Sequence, residues 1–289
     1  MKRIIFVLAI FVIAFAGCIG GGPSTEELKL MMVDPVKDMS SYRFTMDMEQ
    51  EVEIFDLSVA NESNSMKMTS RSVGAGDVNL TDKSMKMSIS SVTSSDDMED
   101  VTTDMEMYFI SDTIYMTFDG NWTQLKIPLP EEMWDKQNQV KIQIELLNES
   151  AIELIGSEKI NGTDCYKLKV VPDMDTYSKI FEEQFGSTPP VGVNLTALYE
   201  NMEMKWDVWL AKDTHLPMKY QIYVNYIITP DMIEQQNNET KPFKMDAMLG
   251  ATMNFYDFNQ PIIVELPEEA KSAPPLSLFP IQVASPEES

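Results

Sequence analysis

The chain has 289 residues, 44% of them hydrophobic, which is enough to bury a sizeable core and excludes a largely disordered protein. Its 46 acids against 22 basic residues leave a net charge of −24, which argues against nucleic acid as a partner because it repels a polyphosphate backbone. One His and two Cys remove most transition-metal sites and the His-based catalytic constellations, and 23 Met stand out instead.

In chain order, Lys2 and Arg3 precede an apolar run, Ile4 to Ala16, of the length of a signal h-region and too short to span a bilayer. The run ends in Phe15-Ala16-Gly17-Cys18, a pattern that resembles the lipobox, where the Cys is acylated and opens the mature chain. Residues 1–17 read as a lipoprotein signal peptide, and 18–24 as the acylated Cys18 with a Gly-rich tether. The expected location is the extracytoplasmic face of the cell membrane. Cys165 then stands alone, so no intrachain disulfide forms, and a passive strand residue is expected there.

Ser24-Thr25-Glu26-Glu27 has the form of a capping box and predicts an amphipathic helix over 25–38, bent or broken near Pro35. Next, Tyr42, Phe44, Met46, Met48, Val52 and Ile54 alternate with Arg43, Thr45, Asp47, Glu49, Glu51 and Glu53, the pattern of a long antiparallel strand with one dry face. Similar alternation recurs around Met66, Met85, Met105, Met204, Met218 and Met253. Asp119-Gly120-Asn121 marks a hairpin between 113–119 and 121–127. In all, ten or eleven strands with short connections are expected in one meandering sheet. Helices are expected near 130–147, where a strand reading stays open, over Met174 to Phe185, and over Leu195 to Asn201. From Lys271 to Ser289 the Pro-rich end reads as a disordered or surface-draped tail.

Seven of the Asn residues lie in N-x-S/T sequons: Asn61, Asn79, Asn121, Asn148, Asn161, Asn194 and Asn238. This excess points to N-glycosylation on exposed turns, and its combination with a lipobox to an archaeal type of surface lipoprotein.

The Ser-Tyr-Arg-Phe entry at 41–44, the Trp122 strand after Asp-Gly-Asn, Gly156 to Leu168, Trp209-Leu210-Ala211-Lys212-Asp213, and Pro261 to Pro267 together resemble the LolA-like and LppX-like lipoprotein superfamily over residues 25–270. That resemblance implies an α+β fold: a large curved antiparallel sheet, or half-barrel, with helices covering the concave face around an apolar cavity for acyl chains. It also implies a carrier or chaperone rather than an enzyme.

The residues add their own argument. Five Met-x-Met pairs, at 46/48, 66/68, 85/87, 105/107 and 202/204, each put two thioethers on one strand face. Unbranched and polarizable, Met makes a wall that adapts to a ligand of variable shape. A cavity for a lipid or other long apolar molecule is therefore expected, lined by Phe44, Met46, Met48, Met68, Met87, Met107, Met116, Met204, Trp206, Met218, Tyr220 and Met253. Two alternatives stay open: a filled core in an envelope-structural or protein-binding module, and a remote Met-based Cu(I) binder. The expected partners are the membrane through Cys18, a lipid, and an envelope protein. His215 sits in a turn, and Asp96, Asp97, Glu99 and Asp100 lack the spacing of a Ca²⁺ loop, so neither metal nor catalytic residue is expected.

Overall fold

The computed structural model describes residues 23–58, 65–96, 98–126, 146, 149–185, 194–233 and 243–275. Helix α1, Thr25–Lys37, starts where the capping box places it. The Ser24 backbone N–H and hydroxyl both donate to the Glu27 carboxylate, at 2.7 and 2.8 Å, and the Glu27 N–H donates back to the Ser24 hydroxyl. Pro35 does not end the helix: α1 runs on to Lys37, one residue short of the expected span 25–38. Leu28 and Met32, one turn apart, are buried, while Leu30 faces solvent.

Among the described residues eleven strands follow, all antiparallel. A first meander consists of β1 (Ser41–Asp56), β2 (Ser65–Asn79), β3 (Ser84–Ser95), β4 (Met98–Ile110), β5 (Thr113–Phe118) and β6 (Asn121–Lys126). A second consists of β7 (Ala151–Ile160), β8 (Thr163–Val171), β9 (Glu203–Ala211), β10 (Pro217–Ile228) and β11 (Phe243–Tyr256). The order β6-β5-β4-β3-β2-β1-β11-β10-β9-β8-β7 joins the two meanders by pairing the first strand with the last, from Arg43 opposite Tyr256 to Asp56 opposite Phe243. The result is one open, curved sheet with few helices, the expected α+β half-barrel.

Two hairpins carry turns their residues dictate. Asp119-Gly120 and Asn161-Gly162 have φ of 48° and 83°, and 48° and 87°, the paired positive values of a type I′ turn, which Asn or Asp followed by Gly adopts at least cost. Helices α2 (Met174–Phe185) and α3 (Leu195–Glu200) form as expected, α3 capped by the Asn194 side chain. The region expected to be helical near 130–147 lies almost wholly outside the described residues.

After helix α4 (Glu268–Lys271) the start of the expected tail drapes along the sheet: Ala270 and Ala273 are buried, and Pro274 and Pro275 lie along edge strand β6, while residues 276–289 lie outside the described residues. The Gln124 N–H donates to the Pro274 carbonyl at 2.9 Å and its side chain to the Ala273 carbonyl at 2.6 Å, so this edge is covered rather than left to pair with another chain.

Candidate functional site: an uncharged inner face

The register fixes which side chains share a face, because residues directly opposite in antiparallel strands point the same way. One row reads Phe118, Met105, Ile89, Gly74, Met46, Met253, Tyr220, Val208, Leu168 and Leu154, crossing from β5 to β7. The neighbouring row holds Met116, Met107, Met87, Gly76, Phe44 and Phe255. Both lie on the side where α1 packs, since Leu28 and Met32 join Phe44, Phe255, Tyr220, Val208 and Leu168 in one buried cluster. In the rows set by Phe44, Met46, Met48 and Gln50, no paired inner-face position holds Asp, Glu, Lys, Arg or His. The charges lie on the outer face, where Arg43 pairs with Asp77 and Asp257, Lys67 with Glu51, and Arg71 with Asp47.

This inner face has two halves. Around β8–β11 and the start of β1 it is packed: Leu168, Val170, Trp206, Val208, Leu210, Tyr220 and Phe255 are buried. Their aromatic rings interlock, with Tyr220 edge-on to Trp206 at 5.5 Å and to Phe255 at 4.9 Å between centroids. Burial pushes the Tyr42 and Tyr220 phenols far above their ordinary pKa, so both stay neutral. Over β2–β6 the face is looser. Met46, Met48, Met68, Met87, Met107 and Met116 are half-buried, and Met66 and Phe118 are 42% and 49% exposed.

The expected cavity residues therefore divide. Met204 and Met253 are half-buried like the wing methionines. Phe44, Trp206 and Tyr220 are packed core rather than free wall, because the helix side of the sheet fills the space above them. Met218 is the extra residue of a bulge between Pro217 and Lys219 and lacks a cross-strand partner. A cavity of about 360 Å³ is open elsewhere, at the strand ends between Ser40, Asn79, Asp82 and Asn259–Ile262, and has a mixed polar and apolar lining.

Residues outside the expected set also shape the face. Gly76 and Gly74 on β2 give the room that Phe44 and Met46 occupy, since a Cβ at Gly76 would lie 2.4 Å from the Phe44 ring. Next to the methionines, the row of Met48 continues through Ser72, Ser91 and Thr103, and that of Gln50 through Ser70, Thr93 and Val101. The signal was present in the sequence, because Ser91 and Thr93 continue the odd parity of Met85, Met87 and Ile89.

The sequence profile of the family of unknown function DUF6612 matches residues 24–275. The chain belongs to this family. The DUF6612 match ends at the segment that covers β6. No curated protein matches the chain. Among solved structures it is similar to the lipoprotein LppX of Mycobacterium tuberculosis, with 13% identity, 84% of this chain and 100% of that chain covered, and a TM-score of 0.41. It is also similar to LprF of Mycobacterium bovis, with 12% identity, 86% and 99% covered, and a TM-score of 0.41. A third is a putative outer membrane lipoprotein-sorting protein domain from Vibrio parahaemolyticus, with 13% identity, 86% and 98% covered, and a TM-score of 0.26.

The remaining residues singled out in the sequence find plain places. Cys165 is fully buried on β8, and burial raises its pKa, which makes it an inert thiol. His215 lies in the β9–β10 turn. Asp96, Glu99 and Asp100 are exposed at the β3–β4 tip, and no acid, His or Cys group among the described residues is arranged to hold a metal. Of the sequons, Asn121, Asn161 and Asn194 are exposed, and Asn61, Asn148 and Asn238 lie outside the described residues. Asn79 departs from expectation. It is 8% exposed, and its amide donates to Asp82 and to the Ile262 carbonyl, so the folded chain withholds the nitrogen a glycan needs. Among the described residues no helix is long and apolar enough to cross a membrane.

Proposed function

We propose that this chain is a membrane-tethered lipoprotein that holds a lipid or other long apolar molecule against the inner face of its sheet, as carrier or chaperone. The observation that carries the reading is the contrast within that face. In a protein of net charge −24, the rows from Phe44 to Gln50 hold no charged side chain on their paired strands, yet the β2–β6 half stays partly exposed. Partly exposed apolar surface of this kind marks a binding site more often than a folding core. Its methionines are flexible and polarizable, suited to chains of differing shape. Cys18, acylated after removal of residues 1–17, is the proposed anchor, with residues 18–24 as tether. Glycans are proposed at Asn121, Asn161 and Asn194, which the fold leaves accessible.

Fluorescence titration of the full chain with a pyrenyl alkane, together with native mass spectrometry after mild detergent extraction, tests the reading. Saturable uptake with a blue-shifted, quench-protected probe is expected. Absence of both probe uptake and co-purifying lipid overturns it in favour of a surface module with no small ligand.

A further inference from the structure

We infer that the outer face of β8–β11 rests on the membrane that holds the anchor, with Lys169 and Lys205 at anionic headgroups and Val171, Tyr223, Ile227 and Met248 at the boundary between headgroups and hydrocarbon. This rests on the reading of Cys18 as the lipid anchor and adds which side of the domain the bilayer meets.

The place where the tether ends sets the range. Helix α1 starts beside edge strand β7, where the Thr25 hydroxyl donates to the Ile152 carbonyl at 3.2 Å. The tether is residues 18–24, and seven residues span at most about 25 Å. Neighbouring strands lie about 5 Å apart, so β8, β9 and β10, the next three in the sheet, all stand within that reach. Strand β4 is eight strands from β7, about 40 Å along the sheet.

Charge divides the outer face in the same direction. On β1 and β4 it carries Arg43 alone against Asp47, Glu49, Glu51, Glu53, Asp104 and Glu106. On β8–β10 it carries Lys167, Lys169, Lys205 and Lys219 against Glu203 and Asp207, with Glu153 and Glu158 on the adjacent β7. Two of those acids are engaged: Glu158 accepts from the Trp209 Nε1–H at 2.8 Å, and Asp207 pairs with Lys167 at 3.5 Å. Lys167 and Lys219 both lie over the Trp209 ring, 4.8 and 4.5 Å from its centroid. Lys169 and Lys205 are exposed and make no ion pair among the described residues. In a chain of net charge −24 this is the side an anionic surface repels least, and these two ammonium groups attract it.

Exposed apolar side chains share the patch. Register places Val171 opposite Ala151, next to the residue that α1 contacts, and Tyr223 opposite Lys205. Met248 stands opposite Asn225, between Tyr223 and Ile227. All four apolar residues are exposed. Tyr223 is held in place: its ring lies beside Gly250, where an added Cβ would be 3.6 Å away, and its hydroxyl accepts from the Gln221 amide at 2.5 Å. A ring with an apolar body and a polar tip is the kind that seats at a bilayer interface. A single exposed apolar residue needs no partner, but four from β8 to β11, beside unpaired lysines and within reach of the anchor, fit a lipid surface.

The test uses the full chain, acylated at Cys18 and reconstituted in vesicles of phosphatidylcholine with about one-third phosphatidylglycerol. A polarity-sensitive fluorophore is attached through Met248→Cys or, for comparison, through Val73→Cys on the outer face of β2, while the buried Cys165 stays unlabelled. Quenching by lipid-borne doxyl groups is expected to be about threefold or more greater at position 248 than at position 73. Lys169→Glu with Lys205→Glu, and separately Tyr223→Ser with Ile227→Ser, are each expected to cut quenching at position 248 by about half or more. Should one pair fold poorly by circular dichroism, the other pair and the ratio between the two positions carry the test. Equal quenching at the two positions, or quenching at position 248 that neither pair changes, overturns the inference while flotation of the chain with the vesicles upholds the anchor. A chain that does not float, with Cys18 unmodified by mass spectrometry, overturns both.

Discussion

The β8–β11 half of the inner face and the β2–β6 half are cut from the same alternation of apolar and polar residues, but differ in what they carry. The first bears branched and aromatic residues, Leu168, Val170, Trp206, Val208 and Tyr220, which interlock beneath α1 and are buried. The second bears Met46, Met87, Met107 and Met116 beside Gly74 and Gly76, and remains half-buried. Rigid shapes packed to high density specify one structure, whereas unbranched side chains over glycine keep room to rearrange. Stability is thus concentrated in one half and adaptability in the other.

The contrast breaks most visibly under core truncation. Leu168→Ala is expected to lower unfolding free energy by about 2–5 kcal/mol in urea titration, since Leu168 is fully buried. If Met107→Ala costs as much, the wing is ordinary core and the comparison fails. Gly76→Ala comes next, at about 1–3 kcal/mol, because its new Cβ displaces the Phe44 ring. Combining it with Phe44→Leu is expected to cost less than the sum, a coupling readable in a double-mutant cycle. Met87→Gln with Met107→Gln sharpens the comparison from the other side. Pyrenyl alkane affinity is expected to fall about tenfold or more while stability drops by only about 1 kcal/mol.

The smallest effect concerns pH and the helix that covers the packed half. The Ser24 backbone N–H and hydroxyl hold the Glu27 carboxyl below its ordinary value of 4.5. A carboxyl depressed in the folded state adds stability above its unfolded pKa, and that contribution is lost as pH falls through the folded value. Amide exchange in α1 is therefore expected to rise more steeply below pH 4.5 in the native chain than in Glu27→Gln, which has no carboxyl to protonate. Equal acid sensitivity in the two proteins would show that the cap does not hold this helix in place.

Much of the fold was legible locally. Ser24 and Glu27 announce α1, Asp119-Gly120 its hairpin, and the even residues from Tyr42 to Ile54 their common face, because caps, turns and two-residue alternation depend only on near neighbours. The covering of β6 by Pro274 and Pro275 was not legible, since it depends on distant parts of the chain. Asn79 carries a perfect sequon, yet its amide is claimed by Ile262, nearly two hundred positions away.

The sequence by itself determined the elements, the two faces of every strand and the concentration of methionine on one of them. Only the tertiary structure decided that β1 pairs with β11, which makes one continuous face from two meanders. It alone decided which half of that face α1 packs and which half stays partly exposed. The physical reason is that hydrogen-bonding geometry and side-chain parity are local, whereas strand neighbours and the cover over a face are settled by the burial of the whole chain.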